Sequence, residues 1–429
     1  MKHTTKYFLI TCLALSLVTS CGGGVIEVND VPFSNANVTL NAFSLGSDFP
    51  PDIQIPTVPG METTAFVVSF SPPAVIPLDL DKNPPAVSEQ FALFDASAIP
   101  EVAFPNNVLL KNSSQAFLLG NSGVVYFNPS SGQVLQTLSL TEPVNLTQVL
   151  PYSMPGDCNF DSVPESSVGP GPFAPGFPAD LAVLNNRLFV TMSNACFDAA
   201  FESFYVQGLL LVFEIHDTAP FLTPAATPFI VLPGFNATGI TTLADRLVVT
   251  STGDTTLVEG GSVPETPSFL TEIDPNALTI ERILNLGMVA ANFQPLAVTG
   301  DGNGFIGSSA FSEVYEINLN NFSVLRGADN PIVIFSEEAD FITDQEINFD
   351  GQLLFVSSFS HSAVRAVDLA SADRPVLEPI LDFAFPENPG VTGAGPIALR
   401  PGEPGVAFTG PDLWVLTASP GTVSSAVTY

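Results

Sequence analysis

Short runs in which nearly every position is apolar recur along the chain, each ending in small polar residues. Seven stand out: Phe66–Phe70 (FVVSF), Ala116–Gly120 (AFLLG), Arg187–Ser193 (RLFVTMS), Arg246–Thr252 (RLVVTST), Gly304–Ala310 (GFIGSSA), Leu353–Phe359 (LLFVSSF) and Gly405–Gly410 (GVAFTG). They lie roughly 50 to 70 residues apart, and self-similarity at such a period marks a propeller or a solenoid. Before several of them stand another apolar stretch and a tight turn, as in Leu181–Leu184 with Asn185 and Asn186, Leu296–Val298 with Asp301 and Gly302, and Ile347 with Asp350 and Gly351. Asp-Gly and Asn-rich pairs between apolar runs are hairpin signals. A third stretch follows (Leu211–Ile215, Val314–Ile317, Val364–Leu369), and usually a fourth (Ile332–Phe335, Ile380–Phe383). Four antiparallel strands per unit make one propeller blade. The pattern predicts an all-β chain, a single β-propeller of about seven four-stranded blades over residues 60–429, with six or eight blades as alternatives. A last strand at Thr422–Thr428 would let the disc close by pairing the two ends of the chain.

The segment Leu354–Ser371, LFVSSFSHSAVRAVDLAS, resembles the signature of the YVTN/YncE-type β-propellers, in which a Tyr-Val-Thr-Asn-like strand and a polar turn lead into a Val-x-Val-Ile-Asp strand. Phe117–Gln133 and Phe305–Asn320 are looser copies. The resemblance implies blade structure and transfers no catalytic residue.

Ahead of the repeats, Lys2, His3 and Lys6 precede an apolar stretch from Tyr7 to Val18. That is the order of a secretory signal, and the stretch is shorter than the roughly 20 residues of a permanent membrane span. Val18, Thr19, Ser20 and Cys21, followed by Gly22, resemble a bacterial lipobox. The resemblance implies removal of residues 1–20 and acylation of Cys21. Two or three acyl chains hold a protein stably at a membrane where one does not. Gly22 rather than Asp after the cysteine implies the outer membrane in a Gram-negative host. Residues 21–59 are rich in Gly, Pro, Asn and Ser and read as a lipidated flexible linker, with one strand near Val38–Phe43.

Composition narrows the functions the chain can have. The formal net charge is -32, and nearer -34 once Lys2 and Lys6 leave with the signal. Nucleic-acid binding needs Lys and Arg to neutralise phosphates, and the few that remain are scattered singly from Lys82 to Arg400. Nucleic acid is excluded as a partner, and anionic headgroups would repel the surface, so the acyl chains alone would hold the membrane. Hydrophobic residues form 46% of the chain, including 35 Phe, too many for disorder. They suit short half-buried strands separated by Ser, Thr, Asn, Gly and Pro turns.

Two cysteines remain in the folded part, Cys158 and Cys196. In an oxidising compartment they are expected to pair. Closing about 38 residues would stabilise the fold by roughly 4 kcal/mol on the chain-entropy model. Cys158 lies in a Pro- and Gly-rich insertion at about 143–178 and Cys196 in a hairpin from Asn194 to Gln207, so the bridge would brace one rim of the disc. Long loops on a rigid scaffold are where binding usually resides.

Reactive chemistry is sparse. His216 and His361 have no His or Cys at ligand spacing. No G-x-S-x-G elbow and no phosphate-binding loop is present. A Ser-His-Asp set could still converge in space. Asp79, Asp81 and Asn83 alternate as weak calcium candidates, but they lack the six to eight oxygens of a full site. By the repeat alignment the inner-strand entrances fall near Asp180, Thr238, Gln294, Asp344 with Gln345, and Gly395. They predict a polar, mildly acidic tunnel mouth suited to a small ligand or a partner's loop. The expectation is a monomeric, noncatalytic scaffold without cofactor, binding a protein or surface polymer. The alternative is a propeller enzyme of lactonase or dehydrogenase type acting at that mouth.

Overall fold

The structure, a computed structural model, describes residues 37–428 except 47, 157–164, 198–202, 259–260, 337–339, 387–391 and 402–410. Signal, lipobox, Cys21 and Cys158 therefore lie outside the described residues, as does the run Gly405–Gly410.

Seven antiparallel sheets form seven blades. Their inner strands are Asp52–Gln54, Pro105–Asn112, Pro178–Leu184, Ala237–Thr242, Ala297–Val298, Ile342–Ile347 and Ala394–Leu399, for blades 1 to 7. Contacts between neighbouring inner strands run from blade 4 through blades 3, 2, 1, 7 and 6 to blade 5, and the Leu296 N–H donated to Thr241 Oγ1 joins blade 5 to blade 4 and completes the ring. Six of the seven repeated runs form the second strands, namely Thr64–Phe70, Gln115–Gly120, Arg187–Met192, Leu247–Ser251, Asn303–Gly307 and Leu353–Ser358. In blade 7 the second strand is Leu413–Thr417, downstream of the run expected to supply it.

The apolar positions run on without alternating because both faces of these strands are covered, where half-burial was expected. Each seam between neighbouring blades holds its own core. Phe117 and Leu119 face blade 3 while Ala116 and Leu118 face blade 1. Val249 packs into the seam between blades 3 and 4 and Val248 into that between blades 4 and 5. Phe355 joins the seam of blades 6 and 7, and Leu354 and Val356 that of blades 5 and 6. Trp414 fills the seam between blades 7 and 1 beside Ile53 and Val67. No sheet could bury both faces alone, and radial packing lets each do so.

The propeller starts earlier than residue 60. Asn37–Ser44 is the outermost strand of blade 7, pairing with Thr422–Val427, and Asp52–Gln54 opens blade 1. The chain's two ends thus close the disc. The polar, turn-rich composition that reads as a tether belongs here to an outer strand and the connection after it, where few apolar residues are needed.

Strand direction alternates within a blade. One face, here called upper, therefore carries the connections between second and third strands and those between blades. The lower face carries the remaining turns.

Candidate functional site

An inner strand has no neighbour on its tunnel side, so its backbone N–H groups need other acceptors. Side chains of the preceding blade supply them. Asp52 Oδ2 accepts from Val108 N–H at 2.9 Å and Gln54 Oε1 from Leu110 N–H at 3.0 Å. Asp180 Oδ2 accepts from Ile240 N–H at 2.7 Å, Thr241 Oγ1 from Leu296 N–H at 2.7 Å, and Asp344 Oδ2 from Ile397 N–H at 2.9 Å. Short polar side chains at inner-strand positions thus clasp successive blades.

Of the positions expected at the tunnel mouth, Asp180 and Asp344 are buried in these clasps. Gln345 is also buried, accepting from Gly307 N–H and Asn292 Nδ2 and donating to Pro295 O. Thr238 points away into blade 4, its hydroxyl 2.9 Å from that of Thr252. Gln294 is half-buried on the upper loop between blades 4 and 5, where its carbonyl leaves no room for a Cβ at Gly239. Gly395 lies in the inner strand of blade 7.

Sequence reasoning missed Asp52 and Glu346. Burial drives the Asp52 carboxyl up to about 6 against opposing backbone hydrogen bonds, and Asp180 up to about 7. Burial and the Asp52 charge raise Glu346 to about 7. Asp344 is raised by burial and by the Glu346 charge. Asp52 also raises Asp180 and Asp344, so the four carboxylates share one field. Glu346 is exposed to the tunnel yet surrounded by protein, which explains how an accessible group is so strongly perturbed.

The upper face is built up by insertions. Val144–Leu146 pairs with Gly171–Phe173 and Leu150–Gly156 with Glu165–Val168, so the segment expected as a long loop contains two ribbons. Ala195–Phe197 pairs with Ser203–Tyr205 in blade 3, the expected hairpin. A third insertion, Thr255–Val258 with Gly261–Pro264 in blade 4, went unread although a Gly-Gly pair in the sequence between the two strands is a turn signal. Ser153 ties all three together. Its hydroxyl donates to Asp254 Oδ2 at 2.6 Å and accepts from Tyr205 N–H at 2.9 Å. Gly156 lies against the Phe204 ring, where a Cβ would stand 2.3 Å from Cζ. Cys196 is disulfide-bonded and partly buried against the core of blades 2 and 3.

Ser358, His361 and Asp340 do meet, in blade 6. Ser358 Oγ lies 2.9 Å from His361 Nδ1 and donates to Asp340 Oδ1 at 2.7 Å, while Asp340 Oδ2 is 3.3 Å from the same Nδ1. A nucleophilic triad places serine and acid on opposite ring nitrogens. Both face one nitrogen here, and Ser358 is fully buried. Burial would raise Asp340, but the His361 bond and charge and Ser358 hold it below its ordinary value. The cluster fixes the loop entering blade 6, with His361 stacked on Phe335 at 3.9 Å.

Asp79 Oδ1 accepts from Asp81 N–H in a local turn, and Asp81 pairs with Arg400. No group of three or more His, Cys, Asp or Glu among the described residues is arranged to hold a metal ion. A small polar cleft of about 240 Å³ opens on the lower face between blades 5 and 6, lined by Asp301, Asp350 and Arg374 among others. Arg374 is held by Glu316 at 2.6 Å. All seven arginines are in ion pairs, with Glu214, Glu272, Glu316, Glu378 or Asp81. Several also reach the next blade, as Arg187 does in donating to Pro275 O at 2.6 Å and Arg326 to Ala372 O at 2.8 Å.

No protein-family model matches the chain. No curated protein matches it in sequence. Among solved structures it is similar to a catalytically inactive variant of virginiamycin B lyase from Staphylococcus aureus with quinupristin, at 10% identity and a TM-score of 0.55, covering 92% of this chain and 100% of that one. It is also similar to the β-propeller domain of Myceliophteria thermophila Cps50 (Swd1), at 9% identity and a TM-score of 0.52, covering 92% and 99%. Kluyvelomyces marxianus Hsv2 aligns at 9% identity and a TM-score of 0.49, covering 87% and 90%. At such identities the likeness is one of fold, and the fold shared across nearly the whole chain is the seven-bladed β-propeller.

Proposed function

We propose that this is a lipid-anchored envelope protein whose propeller is a noncatalytic scaffold, with the upper face docking a protein partner. The observation that carries this reading is the asymmetry between faces. Three insertions joined at Ser153 enlarge the upper face, and Leu257, Val258, Val263 and Phe293 stand exposed on it. Rigid blades holding enlarged loops in fixed positions suit recognition, although fold alone does not dictate function. The enzyme alternative needs reactive groups at the tunnel mouth, whereas Asp52, Asp180 and Asp344 are engaged in clasping the seams.

A photo-crosslinking residue at Leu257 or Val263 should give discrete adducts in intact cells, and one at Asp301 on the lower face should not. Equal adducts from both faces, or none, would sink the docking reading. The anchor rests on the lipobox resemblance, and Cys21→Ser should release the protein from the membrane fraction. We also propose Cys158 as the disulfide partner of Cys196. Two alkylatable thiols at these positions in the denatured, unreduced protein would refute that pairing.

A further inference from the structure

Charge is segregated between the two faces. Six of the seven arginines bond to lower turns, as Arg187 does to Pro275 O and Arg282 to Asn320 O. Arg365 is held by Glu378 on the flank of blade 6, and Lys82 and Lys111 lie at the lower ends of blades 1 and 2. The three insertions that build up the upper face carry several acids, among them Glu165, Asp254 and Glu265, and no Lys or Arg. Exposed apolar side chains gather on the same face. Leu257 projects from the blade 4 ribbon, and Met288 and Phe293 from the connection between blades 4 and 5. Hydrogen bonds bring these pieces together. Ser262 Oγ in the ribbon donates to Ser309 O in the upper loop of blade 5 at 3.3 Å, and Ser309 N–H donates to Ala290 O in the connection at 2.7 Å. Leu257 is the cross-strand neighbour of Ser262 and so shares the ribbon side that faces blade 5. Phe341 extends the strip to the entrance of blade 6, its ring 5.8 Å from that of Phe293. The backbone along the connection is already bonded, Ala291 N–H to Ser268 Oγ and Asn292 N–H to Gly307 O, so it offers a partner side chains rather than a strand edge.

We infer that this strip receives an amphipathic helix of a partner protein, its apolar side on Leu257 and Phe293 and its flanks bearing Lys or Arg. The inference rests on the docking reading for its choice of face and adds the chemistry of the partner. Apolar side chains spread along a strip suit the apolar face of a helix, whose residues at i, i+3, i+4 and i+7 line one side. A helix of about 14 residues is about 21 Å long, enough to cross from the ribbon to the connection. Basic flanks are drawn to a face whose insertions carry only acids, on a chain of net charge -32, and acidic flanks are repelled. Anionic lipid headgroups are repelled by the same surface, which argues against a bilayer as the occupant.

The probe is a labelled peptide of about 14 residues made of leucine and lysine, with the leucines at helical spacing. It is titrated against the intact protein in about 0.1 M salt, where charge attraction is only partly screened, and followed by fluorescence anisotropy. Saturable one-to-one binding is expected. It should weaken about tenfold when the same residues are shuffled to spread the leucines around the helix, and vanish when glutamate replaces lysine. Leu257→Ser combined with Phe293→Ser should also weaken it about tenfold, the loss of part of the apolar contact. Val134→Ser, which removes an exposed apolar side chain from the outer strand of blade 2, should leave it unchanged. All three side chains are exposed, so the variants should melt with the parent. Equal binding of the shuffled peptide, or equal weakening by Val134→Ser, would reduce the effect to general attraction by an acidic protein and overturn the proposal. Absence of saturable binding by the parent would do the same. Adducts at Leu257 in cells without peptide binding would keep the docking face and overturn its helical, cationic partner.

Discussion

Asp180 Oδ2 accepts the backbone N–H of Ile240 at 2.7 Å, joining the inner strands of blades 3 and 4 where no further strand can pair. Its other oxygen accepts from Leu181 N–H at 2.7 Å and from Asn107 Nδ2 at 2.9 Å, so one carboxylate links three consecutive blades. Asp180→Ala removes the acceptor for two buried backbone donors, each costing about 1–3 kcal/mol when stranded. A loss of about 2–4 kcal/mol is expected in urea denaturation, and a change below about 0.5 kcal/mol would remove the clasp from the account of stability.

The tunnel carboxylates also set a pH dependence. In an unfolded chain Asp and Glu titrate near 4, whereas in the fold Asp52 lies at about 6 and Asp180 and Glu346 at about 7. Between those values the folded state binds more protons than the unfolded one, so stability declines as pH rises from about 4 to 7 and stays low above. Asp340, held below its ordinary value, acts oppositely, and its contribution is lost as pH falls through the acid range. The melting temperature should therefore peak between about pH 4 and 6 and be lower at pH 8. Glu346→Gln should raise melting at pH 8 and flatten the slope. A higher melting point at pH 8 than at pH 5.5 would contradict the tunnel assignment.

The blades were legible in the sequence because each seam demands apolar residues from both of its strands, which leaves runs such as FVVSF and LLFVSSF apolar until the serines near their ends. Asp180 and Asp344 were legible as inner-strand polar positions, since the repeat alignment places them. Thr238 was misplaced because a bulge between Ala237 and Gly239 redirects the side chain, and a one-residue shift exchanges tunnel for blade interior. Asp52 and Glu346 escaped for different reasons. Asp52 lies in a segment whose Pro and Gly content reads as a tether. Glu346 is one acid among many in an acidic chain, and its raised pKa comes from burial and from the charge of Asp52 on another blade. Such convergence has no local signature.

Glu316 is nearly buried at 4% side-chain exposure between Arg374 at 2.6 Å and Arg326 at 3.5 Å, so it links blades 5 and 6 near the lower face. Breaking a buried ion pair from one side leaves an uncompensated charge and costs about 3–5 kcal/mol. Glu316→Ala is expected to destabilise by that order, measured by denaturant unfolding. The effect should persist in 0.5 M salt, because buried pairs are screened much less than surface ones. A loss that disappears with salt would make this an ordinary surface contact.

Closure by the first strand gives a test of where the propeller begins. Asn37–Ser44 pairs along Thr422–Val427, and Asn41 N–H donates to Ser424 Oγ at 3.1 Å. Val38 and Leu40 pack against the core between blades 6 and 7, and Ala42 and Phe43 against that between blades 7 and 1. A chain beginning at Asn37 keeps these contacts and should melt within about 2 °C of the longer chain. One beginning at Leu45 loses them and bares the edge of Thr422–Val427, an invitation to pair with other chains. Its melting point should fall by more than about 5 °C, or it should elute as aggregates, since a few kcal/mol shifts the melting of a chain this large by several degrees. Adding a peptide of residues 37–44 in trans should recover part of the loss by refilling the strand. Equal melting of the two truncated chains would mean that the disc closes without its first strand, and that residues up to 44 are a tether after all.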